Sequence, residues 1–170
     1  MTKDEIRDLL MNLRQSMREQ FDRHLPIQDL LFDRWETAEF NGFGKGSSCY
    51  NNVLIIGDVS VGKNTWIGPN VVLDGSGGLQ IGDYVSVSAG VQIYTHDTVN
   101  WSTSMGVAEI SRMPTKIGNG VYLGPNSVIQ QGVSIGDRAV VGAMSFVNKD
   151  VPVEGRWYGH KLYCPHSRVD

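Results

Sequence analysis

The sequence predicts an all-β protein: a parallel β-helix of about five coils, preceded by a helical segment and interrupted by one external loop. Fifteen six-residue units run through the 170-residue chain, and each begins with an apolar residue. A short fixed period that matches neither the 2-residue strand period nor the 3.6-residue helix period is typical of short strands turning at regular corners. Three units make one triangular coil, so fifteen units make about five. The units start at Phe43, Cys49, Ile55, Val61, Ile67, Leu73, Ile81, Val87, Ile93, Ile117, Leu123, Ile129, Ile135, Val141 and Val147.

The repeat is too regular to be a product of composition. The chain is 41% hydrophobic, so fifteen apolar residues in one frame have chance odds of roughly one in a million. Choosing the frame and allowing a two-residue slip between Leu73 and Ile81 costs about two or three orders of magnitude, and the signal survives. We expect the unit starts to point into the coil, with glycine or asparagine at the strained corners.

The segment before the repeat reads as two short helices. Apolar residues from Ile6 to Phe21 fall on one helical face, and Thr2 with Glu5 forms a candidate capping box. Pro26 ends this helix, and a second amphipathic stretch follows it. Because a solenoid must cover the open edge of its last coil, we predict that residues 1–40 are a helical cap.

One long interruption falls inside the repeat. Residues 97–116, DTVNWSTSMGVAEISRMPTK, break the pattern, and the frame resumes in phase at Ile117. A loop inserted without a frame shift leaves the coil at a corner and returns there, and loops this long are usually functional. We therefore predict a β-helix over 41–152 with an external loop at 97–116, followed by a C-terminal tail over 153–170.

Composition limits the compartment and the partners. The net charge is −3 and no basic stripe is present, so nucleic acid is not an expected partner. No apolar run approaches the length of a membrane span, and no signal peptide begins the chain. The two cysteines form no CxxC pair, and Cys49 begins a repeat unit as a buried thiol would. These features predict a cytoplasmic protein without membrane insertion.

His96 is the candidate catalytic residue. It lies in the sequence YTHD at the base of the external loop, and it is the only histidine within the repeat region. A neutral imidazole is the commonest general base near pH 7. The structural alternative is a corner histidine that bonds locally to Thr95 or Asp97, and residue chemistry alone leaves both open.

Several stretches together resemble the hexapeptide-repeat acyltransferases, most closely sugar O-acetyltransferases of the maltose, galactoside and surface-polysaccharide type. The matching stretches are VGKNTWIGPNVVLD at 61–74, IGDYVSVSAGVQIYTHD at 81–97, and IGNGVYLGPNSVIQQGVSIGDRAVVGAMSFVNKDVP at 117–152. The resemblance implies a left-handed β-helix. It also implies a homotrimer with active sites between subunits, and acetyl-CoA as the co-substrate without a metal.

The resemblance also implies roles for individual residues. His96 matches the catalytic base, and Asn70, Asp74 and Asp97 match an acceptor-binding region, where Asp97 is also a candidate to orient the imidazole. The CoA-binding positions implied by the resemblance are Tyr122, Gly124, Gly142, Ala143, Ser145, Asn148 and Lys149. The predicted reaction is transfer of an acetyl group to a hydroxyl of a saccharide or other small acceptor.

Three other functions are compatible with parts of the sequence. An N-acetyltransferase acting on a nucleotide-linked amino sugar or another small amine needs the same base, so the repeat does not separate it from an O-acetyltransferase. A γ-type carbonic anhydrase shares the fold but needs three zinc-binding histidines, whereas the repeat contains only His96. A non-catalytic β-helix interaction module predicts an uninterrupted prism, which the external loop disfavours.

Overall fold

A computed structural model describes residues 1–164, in which short parallel strands stack into a β-helix behind three helices. The helices are α1 (Lys3–Phe21), α2 (Ile27–Leu31), α3 (Arg34–Phe40) and α4 (Val99–Thr103). The strands are β1 (Ser48–Cys49), β2 (Leu54–Val61), β3 (Trp66–Ile67), β4 (Val72–Ile81), β5 (Ser86–Val87), β6 (Gln92–Ile93), β7 (His96–Asp97), β8 (Ser111–Arg112), β9 (Thr115–Ile117), β10 (Tyr122–Leu123), β11 (Val128–Ile129), β12 (Ser134–Ile135), β13 (Val140–Val141), β14 (Phe146–Val147), β15 (Arg156–Tyr158) and β16 (Lys161–Tyr163).

The repeat starts stack in three columns, one for each face of the prism. In one column Cys49 lies over Ile67, which lies over Val87, and the parallel pairing continues through Leu123 to Val141. All of the repeat starts are buried except Ile55, which is half-buried. The predicted fold class, a left-handed parallel β-helix of about five coils with a helical N-terminal segment and an external loop, is confirmed.

Two of the three helices before the prism, α1 and α3, begin with side-chain caps. Thr2 and Glu5 form the capping box predicted for α1, and Asp33 with Glu36 forms a second one at α3. Helix α1 buries none of its residues in the single protomer, whereas Ala38 of α3 packs into the core beside the first coil. None of the helices within residues 1–164 combines the length and the apolar character needed to cross a bilayer.

The two-residue slip in the repeat is a bulge in β4. The register pairs Gly57 with Gly75 and then Val59 with Leu79, so Asp58 alone faces the three residues Ser76–Gly78. The strand continues beyond the bulge and pairs with β9. The extra residues are therefore absorbed at one corner, and the prism keeps its register above and below them.

The external loop leaves and rejoins the prism at the same corner. Strands β7 and β8 pair antiparallel at its base, where His96 faces Arg112. Above them the Met113 N–H donates to the Thr95 carbonyl at 2.9 Å. The chain rejoins the prism at Thr115, which starts β9.

The prism extends beyond the predicted boundary at residue 152. Strand β15 adds to the Cys49 column, because Trp157 pairs in parallel with Val141 and its side chain is 2% exposed. Strand β16 then folds back antiparallel onto β15. The segment predicted as a tail over 153–170 therefore begins as the last turn of the prism, and its residues 165–170 lie outside the described part of the chain.

Candidate active site

The site is built around a contact between an imidazole and a carboxylate. His96 Nδ1 lies 2.6 Å from Asp74 Oδ2. The two residues are neighbours because Leu73 and Ile93 stack in one column, and Asp74 and His96 follow them at the same corner of the prism. Asp74 is fully buried, while the His96 side chain is 32% exposed. One ring nitrogen is thus held from inside the protein, and the other end of the ring faces outward.

Asp74 is held in place by several donors. Its Oδ1 accepts from Ser76 N at 3.0 Å and from Ser76 Oγ at 2.5 Å, and its Oδ2 accepts from Thr95 N at 2.8 Å. Burial by itself raises the pKa of the Asp74 carboxyl. The bonds from Ser76, Thr95 and His96 outweigh that effect and hold the pKa well below its usual range. Asp74 is therefore a carboxylate at neutral pH.

The carboxylate fixes the state of the imidazole. Because ionised Asp74 only accepts hydrogen bonds, His96 Nδ1 carries a proton, and the lone pair of the neutral imidazole is on Nε2. Tyr94 packs edge-on against the ring, with centroids 6.5 Å apart. The tautomer of the imidazole and the direction of its ring are therefore set within the protomer.

The burial of Asp74 does not fit the acceptor contact predicted for it. The side chain is 0% exposed, and both of its oxygens already accept hydrogen bonds from within the protein. No acceptor molecule reaches a group in that position. Asp74 Oδ2 instead lies against His96 Nδ1, so the carboxylate orients the imidazole.

Asp97 does not orient the imidazole. Its Oδ1 accepts from Val99 N at 2.7 Å, so the side chain supports the first turn of the external loop. It is half-buried beside His96, and contact with an acceptor stays a prediction for this residue.

Asn70 lies at a different corner from His96. It has a left-handed backbone, with φ of 57°, and its Oδ1 accepts from Asn52 Nδ2 at 2.9 Å. Asn70 thus continues an asparagine stack between the Cys49 and Ile55 columns, whereas His96 follows Ile93. Within one protomer the structure does not bring Asn70 to the pair, and its predicted role needs a second copy of the chain.

The small residues predicted to line CoA have a structural reason of their own. A Cβ on Gly124 would overlap the backbone at Ala143, and one on Gly142 would overlap the ring of Tyr158. Close stacking of coils therefore requires glycine at both positions, whether or not CoA lies beside them. Ser145 also has a structural contact of its own, because it is buried and its Oγ accepts a hydrogen bond from Gly159 N.

The other predicted CoA residues are accessible. Tyr122, Ala143, Asn148 and Lys149 are exposed in the protomer. Lys149 makes no ion pair within residues 1–164, which leaves its ammonium group available to a phosphate. These positions stay predictions.

Sequence reasoning missed Ser76, and it considered Thr95 only as a local hydrogen-bond partner of His96. Thr95 is 0% exposed, and its Oγ1 accepts from Gly77 N at 2.7 Å and donates to the Asp74 carbonyl at 2.8 Å. Thr95 joins the bulge of β4 to the strand that carries His96, and Ser76 bonds to Asp74 from within the bulge. The two-residue slip in the repeat could have indicated them, because β-bulges are common next to active sites and this one lies close to the candidate base.

Two family models match the repeat. The bacterial transferase hexapeptide model (six repeats) matches residues 114–149, and the hexapeptide repeat of succinyl-transferase matches residues 58–95. The two matches fall on either side of the external loop, and they agree with the six-residue repeat that forms the stacked prism.

Sugar O-acetyltransferases are among the proteins to which the chain is similar. It is 30% identical to the galactoside O-acetyltransferase of Escherichia coli over 55% of this chain and 56% of the relative. The chain spans about half the length of the curated relatives it matches.

Two solved structures are similar over most of their length. One is a hexapeptide-repeat acetyltransferase of Vibrio cholerae in complex with acetyl-CoA, at 26% identity and a TM-score of 0.68, covering 99% of this chain and 92% of that one. The other is a maltose O-acetyltransferase of Clostridium difficile, at 25% identity and a TM-score of 0.62, covering 92% and 86%.

Proposed function

We propose that this protein is an acetyl-CoA-dependent O-acetyltransferase that acetylates a hydroxyl of a saccharide acceptor, with His96 as general base. The observation that carries the proposal is the His96–Asp74 pair, in which a fully buried carboxylate holds Nδ1 and leaves Nε2 facing outward. The similarity to the galactoside and maltose O-acetyltransferases supports the choice of acyl group and acceptor class.

The residues of this chain support a direct transfer. His96 Nε2 takes the proton of the acceptor hydroxyl as the oxygen bonds to the acetyl carbonyl carbon. The carbon–sulfur bond breaks, and the leaving CoA sulfur receives the proton from the imidazolium. Ionised Asp74 stabilises the positive charge that His96 carries between these two proton transfers.

The chemistry of the exposed residues fits acetyl-CoA as the donor. Lys149 supplies a cation suited to a phosphate, and Asn148 beside it supplies amide donors. The side chain of exposed Ala143 is a single methyl group, which allows the extended arm of CoA to lie close to the backbone. The proposed compartment is the cytoplasm, because the acyl donor is an intracellular metabolite.

We propose that the active unit is a homotrimer whose sites lie between subunits. In one protomer, His96 follows the Ile55 column while Asn70 and Ala143 lie at the corner before it, so a single chain does not surround a substrate with these groups. Met105 and Val107 of the external loop are 94% and 86% exposed in the single protomer. Packing this loop against a neighbouring prism would bury that apolar surface.

The test is an acetyl-transfer screen that follows thiol release from acetyl-CoA across hydroxyl and amino sugars. We expect release with a hydroxyl acceptor and a fall in kcat of ~10² or more for His96→Ala, with the fold retained. Transfer only to amines would replace the O-acetyl assignment with N-acetylation. Near-normal turnover by His96→Ala would refute the general base.

A further inference from the structure

Arg112 is the residue that faces His96 across the base of the external loop. The antiparallel register of β7 and β8 pairs His96 with Arg112 and Asp97 with Ser111. Directly paired residues place their side chains on one face of a two-stranded ribbon, with Cβ atoms about 4.5–5.5 Å apart, and successive pairs alternate between the faces. Arg112 therefore shares a face with the imidazole, whereas Asp97 and Ser111 lie on the other face.

The backbone on both sides of Arg112 is tied to the prism. Ser111 Oγ accepts a hydrogen bond from Gln131 Nε2 at 3.1 Å. Met113 N donates to the Thr95 carbonyl at 2.9 Å. Arg112 is thus presented from a fixed strand beside the candidate base, as a residue that selects a substrate needs to be.

The charge of Arg112 has no acidic partner within residues 1–164. Its side chain is exposed, and none of the ion pairs in this part of the chain includes it. Asp74 bonds to His96 instead, and Asp97 bonds to Val99 N. A guanidinium in this position is therefore available to an anion from outside the protomer. The charged side chains on the adjoining elements are Asp58 of β2, Asp74 of β4, Asp97 of β7, Glu109 of the external loop and Lys116 of β9.

We propose that Arg112 selects a saccharide acceptor that carries an acidic group, a carboxylate or a phosphate, close to the hydroxyl that is acetylated. Two oxygens of such a group match the forked N–H donors of a guanidinium, which a single neutral hydroxyl does not. The bond is charge-assisted, so it favours an acidic sugar over its neutral counterpart. This inference rests on the proposed function, and it adds a charge requirement for the acceptor of the same site.

The acceptor, rather than CoA, is the ligand that fits this position. His96 Nε2 has to reach the reacting hydroxyl, so a side chain next to His96 lies near the acceptor and the thioester. The phosphates of CoA are separated from its thioester by the pantetheine arm, and Lys149 is the cation proposed for them. The charge of Arg112 is thus left for a group on the acceptor.

The experiment compares the binding of matched neutral and acidic sugars by NMR, observed at the C–H signals of the His96 imidazole. The chain has four histidines, so His96→Ala assigns these signals. The neutral ligands are methyl β-glucoside and methyl β-galactoside, and the acidic ones are methyl β-glucuronide, methyl β-galacturonide and methyl β-glucoside 6-phosphate. Saturating CoA is present throughout, so that an acidic sugar does not occupy the position proposed for the CoA phosphates.

Arg112→Gln is the informative variant, because it removes the charge and keeps a polar side chain at an exposed position. Arg14→Gln removes the same charge from an exposed position of α1 and is the matched control. We expect at least one acidic sugar to bind about tenfold or more tightly than its neutral counterpart in wild type and in Arg14→Gln. We expect this preference to be lost in Arg112→Gln.

Three results would overturn the inference: no binding of any acidic sugar at millimolar concentrations, equal affinity for acidic and neutral sugars, or a preference that persists in Arg112→Gln. A merely structural role of Arg112 would weaken acidic and neutral sugars to the same extent. Acetyl transfer is assayed in the same samples. A preference lost in Arg112→Gln without transfer to any sugar would overturn the proposed function alone. Transfer to sugars without any preference for the acidic ones would overturn the role of Arg112 alone.

Discussion

His96 is partly exposed and Asp74 is buried, so only the imidazole is open to a substrate. The imidazole meets solvent at one edge, while the carboxylate is enclosed by Ser76 and Thr95. A carboxylate enclosed in this way is held in one position. It sets the direction and the tautomer of the imidazole ring, whose other edge faces solvent. Asp74, which resembles an acceptor ligand in sequence, thus holds the imidazole that we propose as the base.

Asp74→Asn tests this division. We expect kcat to fall by ~10² or more, because the amide no longer stabilises the imidazolium, while the Kd of acetyl-CoA stays within a factor of about two. Steady-state kinetics and calorimetric titration measure the two quantities. A variant that loses CoA affinity and turnover to the same extent would show a general structural role instead.

The same substitution has a pH-dependent effect on stability. The pKa of Asp74 is lower in the folded state than its unfolded value of about 3.9. Its contribution is therefore fully present above pH ~4 and is lost as the pH falls through the folded pKa. We expect Asp74→Asn to cost about 3 kcal/mol at pH 7 and less below pH ~4, as urea unfolding would measure. A constant difference between pH 7 and pH 3 would contradict this linkage.

Cys49 makes the stability of the protein depend on pH in the alkaline range. Burial, followed by the nearby charge of Asp29, raises the pKa of the Cys49 thiol to about 12. Since the folded state holds this proton more tightly than the unfolded chain, the stabilisation is present below pH ~8.5 and declines as the pH rises above it. We expect wild type to lose up to about 1.4 kcal/mol more per pH unit than Cys49→Ala in this range.

Thiol titration gives an independent check on Cys49. We expect one reactive thiol in the native protein, from exposed Cys164, and two after unfolding in guanidinium. Two thiols reacting at the same rate in the native protein would contradict a buried Cys49.

Among the structural elements, the bulge of β4 links the repeat to the site. Ser76 donates to Asp74, and Gly77 N donates to the side chain of Thr95, so both contacts come from the residues that disturb the register. A Cβ on Gly77 would overlap the carbonyl oxygen of Thr95. The bulge therefore has to approach the His96 strand without a side chain between them.

Gly77→Ala is expected to lower kcat by ~10-fold or more and to destabilise the fold by about 1–3 kcal/mol, because the added methyl separates the bulge from Thr95. Gly120→Ala is the control, since a Cβ there meets Arg138 Cγ at an ordinary 3.6 Å and the corner is remote from the pair. The control is expected to lose only about 1–2 kcal/mol, from its left-handed φ of 65°. Full activity in Gly77→Ala would show that the contact between the bulge and Thr95 is not needed for catalysis.

For the whole molecule, the assembly decides whether the predicted CoA residues meet the base. We expect light scattering to give a trimer and Lys149→Ala to raise the Kd of CoA about tenfold with little change in kcat. Lys3→Ala removes the same charge from an exposed position of α1 and is the matched control. An active monomer would refute the assembly, and an unchanged Kd would refute the phosphate contact.

The repeat allowed the fold to be predicted because each unit start, such as Leu73 or Ile129, has to be buried for the coils to stack. The role of Asp74 was beyond that reasoning, since it depends on the shape of the bulge rather than on spacing. The end of the prism was misplaced for a related reason. Trp157 adds a further coil without matching the apolar six-residue frame closely.

The closed base of the external loop has a consequence for how such proteins diverge. Met113 N bonds to the Thr95 carbonyl and Thr115 Oγ1 bonds to the Tyr94 carbonyl, so the two ends of the insertion are tied together within the prism. Changes in loop length beyond that point leave the coil geometry unaffected. We expect insertions or deletions beyond the β7–β8 pair to leave His96 beside Asp74, because His96 lies within that pair.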